Sequence, residues 1–203
     1  MVTLPRIAPV LLAAATLAAT PAMTAEAWNV DKAHTEINFK VNHFFTPVSG
    51  TFSDFDIDLQ YDAANPTNSS VNVRIAVASV STGNADRDQH LRSEDFFEAA
   101  AHPHITFRST SVRQVSADQL VATGPLTIKG VSQTIDLPIR VLGVQEIGEE
   151  MRPMLGGITR VAGFAADTRI RRQDFGVGVG SWAATLVVGG NVDIEIAVEA
   201  NQM

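Results

Sequence analysis

Apolar side chains at every second position dominate this sequence after residue 27. Successive strand residues point to opposite faces, so strict alternation is typical of a strand with one buried and one wet face. The pattern recurs in 36–43, 54–61, 71–78, 105–107, 126–128, 135–141, 162–166 and 192–198. Short connections favour antiparallel pairing, and closure is what removes unpaired strand edges. The sequence therefore predicts an all-β domain of about eight strands, built as a sandwich or a barrel.

One segment, residues 84–101, interrupts the alternation with charges and paired aromatics. Ser93 is followed by two carboxylates, Glu94 and Asp95, which is typical of a helix start. We therefore expect a short helical cap at one end of the barrel. Elsewhere, Pro138 cannot donate to a ladder and predicts a bend or bulge, and residues 146–157 are expected to form a long hairpin loop.

The first residues have the order of a secretory signal peptide. Arg6 precedes an apolar run over 7–19, and small residues end in Ala25-Glu26-Ala27. The apolar run is too short for a transmembrane span. We predict a signal peptide over 1–27, although cleavage after Ala25 also fits, and a single barrel domain over 28–203. The domain is then periplasmic or secreted.

Charge and cysteine content restrict the partners and the means of stabilisation. The net charge is −7 and the sequence has no cysteine. Apart from Arg169, Arg171 and Arg172 there is no basic cluster, which argues against nucleic acid and against an anionic membrane surface. Without disulfides, the core alone has to hold the fold.

No catalytic or metal-binding motif stands out. Only His102 and His104 are closely spaced among the five histidines, and two ligands on a turn bind a metal weakly. There is no nucleophile elbow and no Ser, His and Asp in local proximity. We expect no catalytic residue, no metal and no cofactor, and hence no enzyme, although a triad assembled in space stays open.

The most informative segment follows the strand at 71–78. It has the order Ser79-x-x-Thr82-Gly83-x-x-x-Arg87-Asp88-x-His90-Leu91-x-Ser93-x-Asp95-Phe96-Phe97. Further marks are Trp28-x-x-Asp31-x-x-His34, His43, Gly50-x-Phe52, Pro103-x-Ile105-Thr106-Phe107, Gly124-x-Leu126-Thr127-Ile128-x-Gly130 and Asp174-Phe175-Gly176. Together they resemble the YceI-like family of polyisoprenoid-binding proteins over essentially the whole mature chain. The sequence departs from the family at Ala101-His102, where relatives often have an aromatic residue.

The resemblance implies an extended, lipocalin-like antiparallel barrel that holds a polyprenyl chain in an apolar bore. The ligand is then a polyisoprenoid lipid, of isoprenoid quinone or polyprenyl phosphate type, and the protein is a periplasmic carrier or store. The alternation nominates the following side chains for the bore: Ile37, Phe39, Val41, Phe55, Ile57, Val73, Ile75, Phe107, Ile128 and Phe164. Candidates for the lipid head group are His43, Arg87 and His90, since Arg offers a planar fork of donors.

Several alternatives stay open at this point. Arg87 and His90 belong either to the head-group site or to the scaffold of the cap. The alternatives to a polyisoprenoid carrier are a lipocalin that sequesters exogenous apolar compounds and a stress-response factor. An enzyme is the less favoured alternative. The sequence leaves room for a transient inner-membrane partner, and it leaves the oligomeric state open, a homodimer included.

Overall fold

The computed structural model describes residues 25–203. Over these residues the chain forms eleven strands and one α-helix. The elements are β1 (Glu26–His43), β2 (Thr46–Phe52), β3 (Phe55–Tyr61), β4 (Ser70–Ala76), β5 (Val80–Ser81), α1 (Ala85–Arg92), β6 (His104–Arg108), β7 (Ser111–Gln114), β8 (Gln119–Ile128), β9 (Val131–Glu146), β10 (Arg160–Arg171) and β11 (Val188–Gln202). Within 25–203, no helix is long and apolar enough to span a membrane.

The strands close into an antiparallel ring. Three pairs of consecutive strands each act as one interrupted strand. β2 and β3 both run along β1, β6 and β7 both run along β8, and β4 and β5 run along β3 and β2. Counting each pair once, eight strands follow one another around the ring in chain order, and β11 pairs with β1 to close it. The predicted lipocalin-like barrel of eight strands is therefore confirmed.

The alternation in β8 shows how the sequence produces the wall. Leu120, Ala122, Gly124, Leu126 and Ile128 are buried, and the residues that alternate with them are half-buried. The strand ends in a two-residue turn, Lys129-Gly130, in which both residues have positive φ. This turn matches the right-handed twist of a hairpin, and it sets the register Ile128 opposite Val131.

The helical cap is present, but it begins earlier than predicted. Asn84 caps α1, since its side-chain oxygen accepts from the backbone N–H of Arg87 at 3.0 Å. Ser93 lies at the C-terminal end instead, where its hydroxyl donates to the carbonyl of His90 at 2.7 Å. The prediction of a helix start at Ser93 was wrong because Asn84 is an equally good cap with its own acidic first turn.

The predicted irregularity at Pro138 was also misplaced. The register between β8 and β9 runs through Pro138 without a shift, and the shift lies near Leu142. The ladder between β9 and β10 ends at Ile139, so one edge of β9 is unpaired at Pro138 and a proline is tolerated there. The loop 147–159 joins β9 to β10 where a long hairpin loop was predicted.

Candidate functional site

The interior of the barrel holds two apolar chambers. The large chamber has about 160 Å³ of open volume and the small chamber about 80 Å³. A single water needs about 10–15 Å³ by the same measure, so each chamber is several waters in size. This open volume agrees with the apolar bore expected from the sequence.

The large chamber lies under the helical cap. Leu91, Phe96 and Phe97 close it from the cap side. The strands contribute mainly aliphatic and aromatic side chains, and the polar lining residues are Asn38, Thr168 and Arg172. Such a surface favours a hydrocarbon ligand over a polar one.

The small chamber lies towards the opposite end of the barrel. Tyr61 and Phe164 meet edge to face in its wall, with ring centroids 5.1 Å apart. The indole N–H of Trp28 donates to the carbonyl of Tyr61 at 3.1 Å and holds that strand end in place. Burial raises the pKa of the Tyr61 phenol, so the hydroxyl stays neutral in this wall.

Four side chains border both chambers. Ile37, Val73, Leu137 and Ile196 come from β1, β4, β9 and β11, which lie around the ring. We call these four residues the waist. The bore is thus two chambers in line, separated by the aliphatic waist rather than by backbone or by polar groups.

Most of the bore residues nominated from the sequence face these chambers. The large chamber is lined by Ile37, Phe39, Val41, Val73, Ile75, Phe107 and Ile128, and the small chamber by Ile37, Ile57, Val73 and Phe164. Phe55 lines neither chamber. It is buried at the start of β3 opposite Ile75, where the Lys32 ammonium lies 5.9 Å from its ring centroid. Alternation identified its buried face but could not separate a packed position from one beside open space.

The three head-group candidates do not line the chambers. His43 is exposed at the end of β1, with its ring edge-on to Phe44 at 4.8 Å. Arg87 is exposed on α1, and its guanidinium donates to the hydroxyl of Thr82 at 2.7 Å and to the Thr82 carbonyl at 2.9 Å. Among residues 25–203, no hydrogen bond or ring contact joins His43 to Arg87 or His90.

His90 belongs to an aromatic cluster above the large chamber. Its ring lies edge-on to Phe96 and Trp182, 4.9 Å from each, and its Nε2 is 3.0 Å from the carboxylate of Asp95. Trp182 donates its indole N–H to the same carboxylate at 3.3 Å. These contacts tie the cap to the segment before β11, which is the scaffold role that the sequence left open for His90.

Arg172 is the charged lining residue, and sequence reasoning did not assign it to the bore. It is 4% exposed, and its guanidinium donates to the carbonyls of Gly189, Val177, Gly178, Trp182 and Val188. All five donors are occupied by backbone oxygens. Burial lowers the pKa of this side chain, yet at neutral pH it stays charged. The sequence signal was present in the run Arg169, Arg171 and Arg172, where the third arginine breaks the alternation.

The chambers offer little acid–base chemistry. Among the described lining residues, the ionisable side chains are Arg172 in the large chamber and Tyr61 in the small one. A general acid or base works best with a pKa near the operating pH, and the ordinary pKa values of Arg and Tyr lie well above neutrality. The arrangement therefore favours binding over catalysis.

One group of potential metal ligands lies outside the bore. The ligand atoms of Asp31, His34 and Glu199 are within 4.8 Å of one another on the outer surface. His34 Nδ1 is 2.9 Å from the Asp31 carboxylate, and this hydrogen bond raises the pKa of His34 and lowers that of Asp31. A direct ion pair accounts for the cluster, and the cluster has no contact with either chamber.

Comparison with known proteins places the chain among similar barrels. A family model described as "YceI-like domain" matches residues 28–200. A UPF0312 protein of Azotobacter vinelandii is 38% identical over 174 residues, covering 84% of this chain and 86% of that protein. The crystal structure of Burkholderia cenocepacia BcnA superposes with a TM-score of 0.74 at 26% identity, covering 84% of this chain and 99% of that one.

A more distant structure has the same fold. It is described as a polyisoprenoid binding domain from Saccharophagus degradans implicated in plant cell wall breakdown. The TM-score is 0.62 at 15% identity, over 87% of this chain and 99% of that chain. At this identity the likeness concerns the architecture of the barrel.

Proposed function

The chain belongs to the YceI-like family, and from that membership and its apolar bore we propose that it binds a long-chain polyisoprenoid lipid and acts as a periplasmic carrier or store. The observation that carries the proposal is the pair of in-line chambers with almost wholly apolar walls. A linear, methyl-branched chain suits a long narrow bore with a waist. A compact ligand would use one chamber only.

The energetics fit a protein that loads and unloads its ligand. Burying one CH₂ group from water is worth about 0.8 kcal/mol, so a chain of tens of carbons would exceed the practical ceiling of about 18–21 kcal/mol if water were the alternative. The alternative is a bilayer, which is equally apolar. The transfer free energies of bore and bilayer nearly cancel, and exchange between them is therefore feasible.

The polar end of the lipid is proposed to lie towards the cap. Arg172 places a buried positive charge beside the large chamber, and among residues 25–203 its hydrogen-bond partners are neutral carbonyls. A positive charge without a carboxylate partner favours an electron-rich head group, such as a phosphate or a quinone carbonyl. All N–H donors of Arg172 already bind carbonyls, so its guanidinium is proposed to attract the head group electrostatically rather than by a direct hydrogen bond.

Export to the periplasm is part of the proposal. The predicted signal peptide, residues 1–27, lies outside the described residues except for its last three. Glu26 and Ala27 form the first rungs of β1 with β3, and Glu26 pairs with Arg160. Cleavage after Ala25 keeps these contacts, whereas cleavage after Ala27 removes both Glu26 and Ala27 and the contacts they make. The mass of the protein from a periplasmic extract distinguishes the two sites.

Native mass spectrometry of the protein purified from its own host tests the ligand. We expect a bound isoprenoid, whose mass after release identifies the head group and the chain length. An empty barrel that takes up unrelated apolar dyes with similar affinity would contradict the proposal and support sequestration of exogenous compounds.

A substitution inside the bore tests the site. Phe107 lines the large chamber and is buried, so Phe107→Asp places an unpaired carboxylate in an apolar wall and is expected to abolish bound lipid. Gln114→Asp adds the same charge on the exposed side of β7 and is the matched control. Wild-type lipid content in Phe107→Asp would show that the ligand lies elsewhere.

A further inference from the structure

We propose that the cap end of the barrel docks on the uncharged interfacial layer of a phospholipid bilayer through an apolar rim, which consists of Phe44, Phe45 and Leu186. The inference rests on the proposed function in one respect, because a protein that exchanges a lipid with a membrane has to reach the membrane surface. The docking surface itself is argued from exposure, connectivity, charge and backbone conformation.

The rim is unusually exposed for side chains of this kind. Phe45 is 89% exposed, Leu186 is 68% exposed and Phe44 is 47% exposed. The backbone N–H of Phe44 donates to the carbonyl of Val187 at 2.9 Å. This hydrogen bond joins the turn between β1 and β2 to the segment before β11, so the rim is a single surface made of two segments.

The rim continues the wall of the large chamber to the outside. Val41 lines that chamber three residues before Phe44, and Val188 lines it two residues after Leu186. His43 pairs with Val188, which places the ends of β1 and β11 side by side. A hydrocarbon chain that leaves the large chamber past the ends of these two strands therefore meets apolar side chains along its path.

Both segments of the rim lack formal charge. Residues 175–192 form the longest stretch without Asp, Glu, Lys or Arg after residue 26, and residues 41–53 form the next longest. The chain as a whole carries a net charge of −7, which repels an anionic surface. An uncharged surface with aromatic side chains is suited to the membrane interface, where apolar burial rather than charge supplies the attraction.

The backbone of the turn also departs from local preference. Phe44 has a φ of 52°, in the left-handed region that bulky residues rarely adopt. Two-residue hairpin turns favour Asn and Gly, whereas this turn consists of two phenylalanines. A sequence that contradicts the local preference at an exposed tip is explained by a contact that the aromatic side chains make outside the chain.

The opposite end of the barrel has an exposed apolar patch of a different character. Met154 is 84% exposed in the loop 147–159, which joins strand ends near Gln202. Glu149, Glu150 and Arg152 lie in the same loop. Two adjacent carboxylates oppose insertion into a bilayer, so Met154 serves as the matched control for the rim.

Vesicle sedimentation tests the proposal with delipidated protein and vesicles of phosphatidylcholine. We expect the wild type to bind, with a partition coefficient that stays within about twofold when salt is raised, since the attraction is not electrostatic. Phe45→Ser and Leu186→Ser are each expected to lower the partition coefficient about tenfold. Met154→Ser is expected to bind like the wild type.

Two results would overturn docking through the rim. One is a wild type that stays in the supernatant. The other is a loss of binding in Met154→Ser as large as that in Phe45→Ser. A further variant, Phe45→Trp, tests the rim by a gain of signal. When vesicles are added, its fluorescence is expected to gain a blue-shifted component beyond that of the wild type, which contains Trp28 and Trp182. An unchanged spectrum would also count against the rim.

The lipid content of the same preparations separates this proposal from the proposed function. A wild type that carries isoprenoid but ignores vesicles refutes docking and leaves lipid binding intact. A wild type that binds vesicles through Phe45 but carries no isoprenoid refutes the lipid ligand and leaves docking intact. Binding that requires phosphatidylglycerol and disappears in high salt would refute the uncharged surface.

Discussion

At the scale of single residues, Arg172 is the buried side chain that makes five hydrogen bonds to the backbone beside the large chamber. Of the five carbonyls that accept them, three lie in the segment before β11 and two at the start of β11. Buried carbonyls without a donor are costly, at about 1–3 kcal/mol each. One side chain therefore holds the segment 177–189 against the end of the large chamber.

Replacing Arg172 with Met is expected to lower the free energy of unfolding by at least about 3 kcal/mol, because several carbonyls lose their donor. Thermal unfolding of the delipidated protein should show a fall in Tm of roughly 6–12 °C. Arg169→Met is the control, since Arg169 is exposed and solvent screens its ion pair with Asp193. Equal shifts in the two variants would contradict this role.

The pairing of His34 with Asp31 makes a pH-dependent contribution. The pKa of His34 is raised in the folded protein by its hydrogen bond to Asp31 and by the charges of Asp31 and Glu199. A raised pKa contributes stability below the unfolded value of about 6.5, and this stability is lost as pH rises through the folded pKa. Asp31, whose pKa is lowered, remains charged throughout that window.

His34→Gln is therefore expected to lower Tm relative to the wild type at about pH 5.5 and to leave it unchanged at about pH 8.5. An NMR titration should place the pKa of His34 above about 6.5, and Asp31→Asn should bring it down. A Tm difference that grows with pH would reverse the sign of the argument.

At this scale, the sequence predicted burial better than partners. Phe39, Ile75 and Phe107 were identified correctly as inward-facing because alternation encodes the face of a strand. Arg172 broke the alternation, but its role was missed because its partners are backbone carbonyls of residues 177–189, which leave no side-chain signature. Asp95 is part of the motif, but the motif does not reveal that its carboxylate binds His90 and Trp182.

At the scale of elements, the wall depends on close approach between strands. The bend between β6 and β7 passes over Gly124 on β8, where a Cβ atom would overlap the carbonyl oxygen of Arg108. The obstacle is backbone, so it cannot move aside by a change of rotamer. The glycine at this position is therefore a requirement of the bend.

Gly124→Ala is expected to lower the free energy of unfolding by about 1–3 kcal/mol through this overlap. Gly143→Ala on β9 is the control, because a Cβ there meets nothing within 4 Å and the φ is not in the left-handed region. That variant should be unchanged or more stable by up to about 1 kcal/mol. Chemical denaturation measures both, and a similar loss in the control would show a general intolerance of side chains in these strands.

The cap provides a second prediction at the element scale. Arg87 and His90 hold α1 to Thr82 and to Asp95, so Arg87→Met and His90→Gln are each expected to lower stability by about 1 kcal/mol in the delipidated protein. Lipid retention of the loaded protein should stay unchanged. Unchanged melting with lost retention would instead assign the residue to a head-group site.

The elements themselves were largely predictable, since eight segments of alternation correspond to eight positions around the ring. The errors arose where two local signals compete. Asn84 and Ser93 are both good helix caps, and only the packing of the cap decides between them. Pro138 signals an irregular strand, but the ladder between β9 and β10 had already ended at Ile139.

At the scale of the whole molecule, the waist divides the bore and sets how far a chain extends. Val73 borders both chambers, so Val73→Phe is expected to fill the passage between them. The large chamber alone then remains for the lipid, and native mass spectrometry should show a shorter or absent isoprenoid. Val115→Phe, at an exposed position, is the control. An unchanged chain length in Val73→Phe would mean that the ligand does not pass the waist.

The incomplete ladder between β9 and β10 has a consequence for how the closed ring moves. Pairing stops at Ile139 opposite Ala166, and beyond that point the helical turn Arg172–Phe175 contacts β9. Separating 131–138 from 167–171 breaks no ladder hydrogen bond, unlike opening the ring at any fully paired seam. Local opening of the ring should therefore be most frequent between these two segments. Hydrogen exchange should show that their amides exchange with solvent sooner than those of β11. Within the described residues, the ring is therefore expected to open first between β9 and β10, without unfolding of the cap.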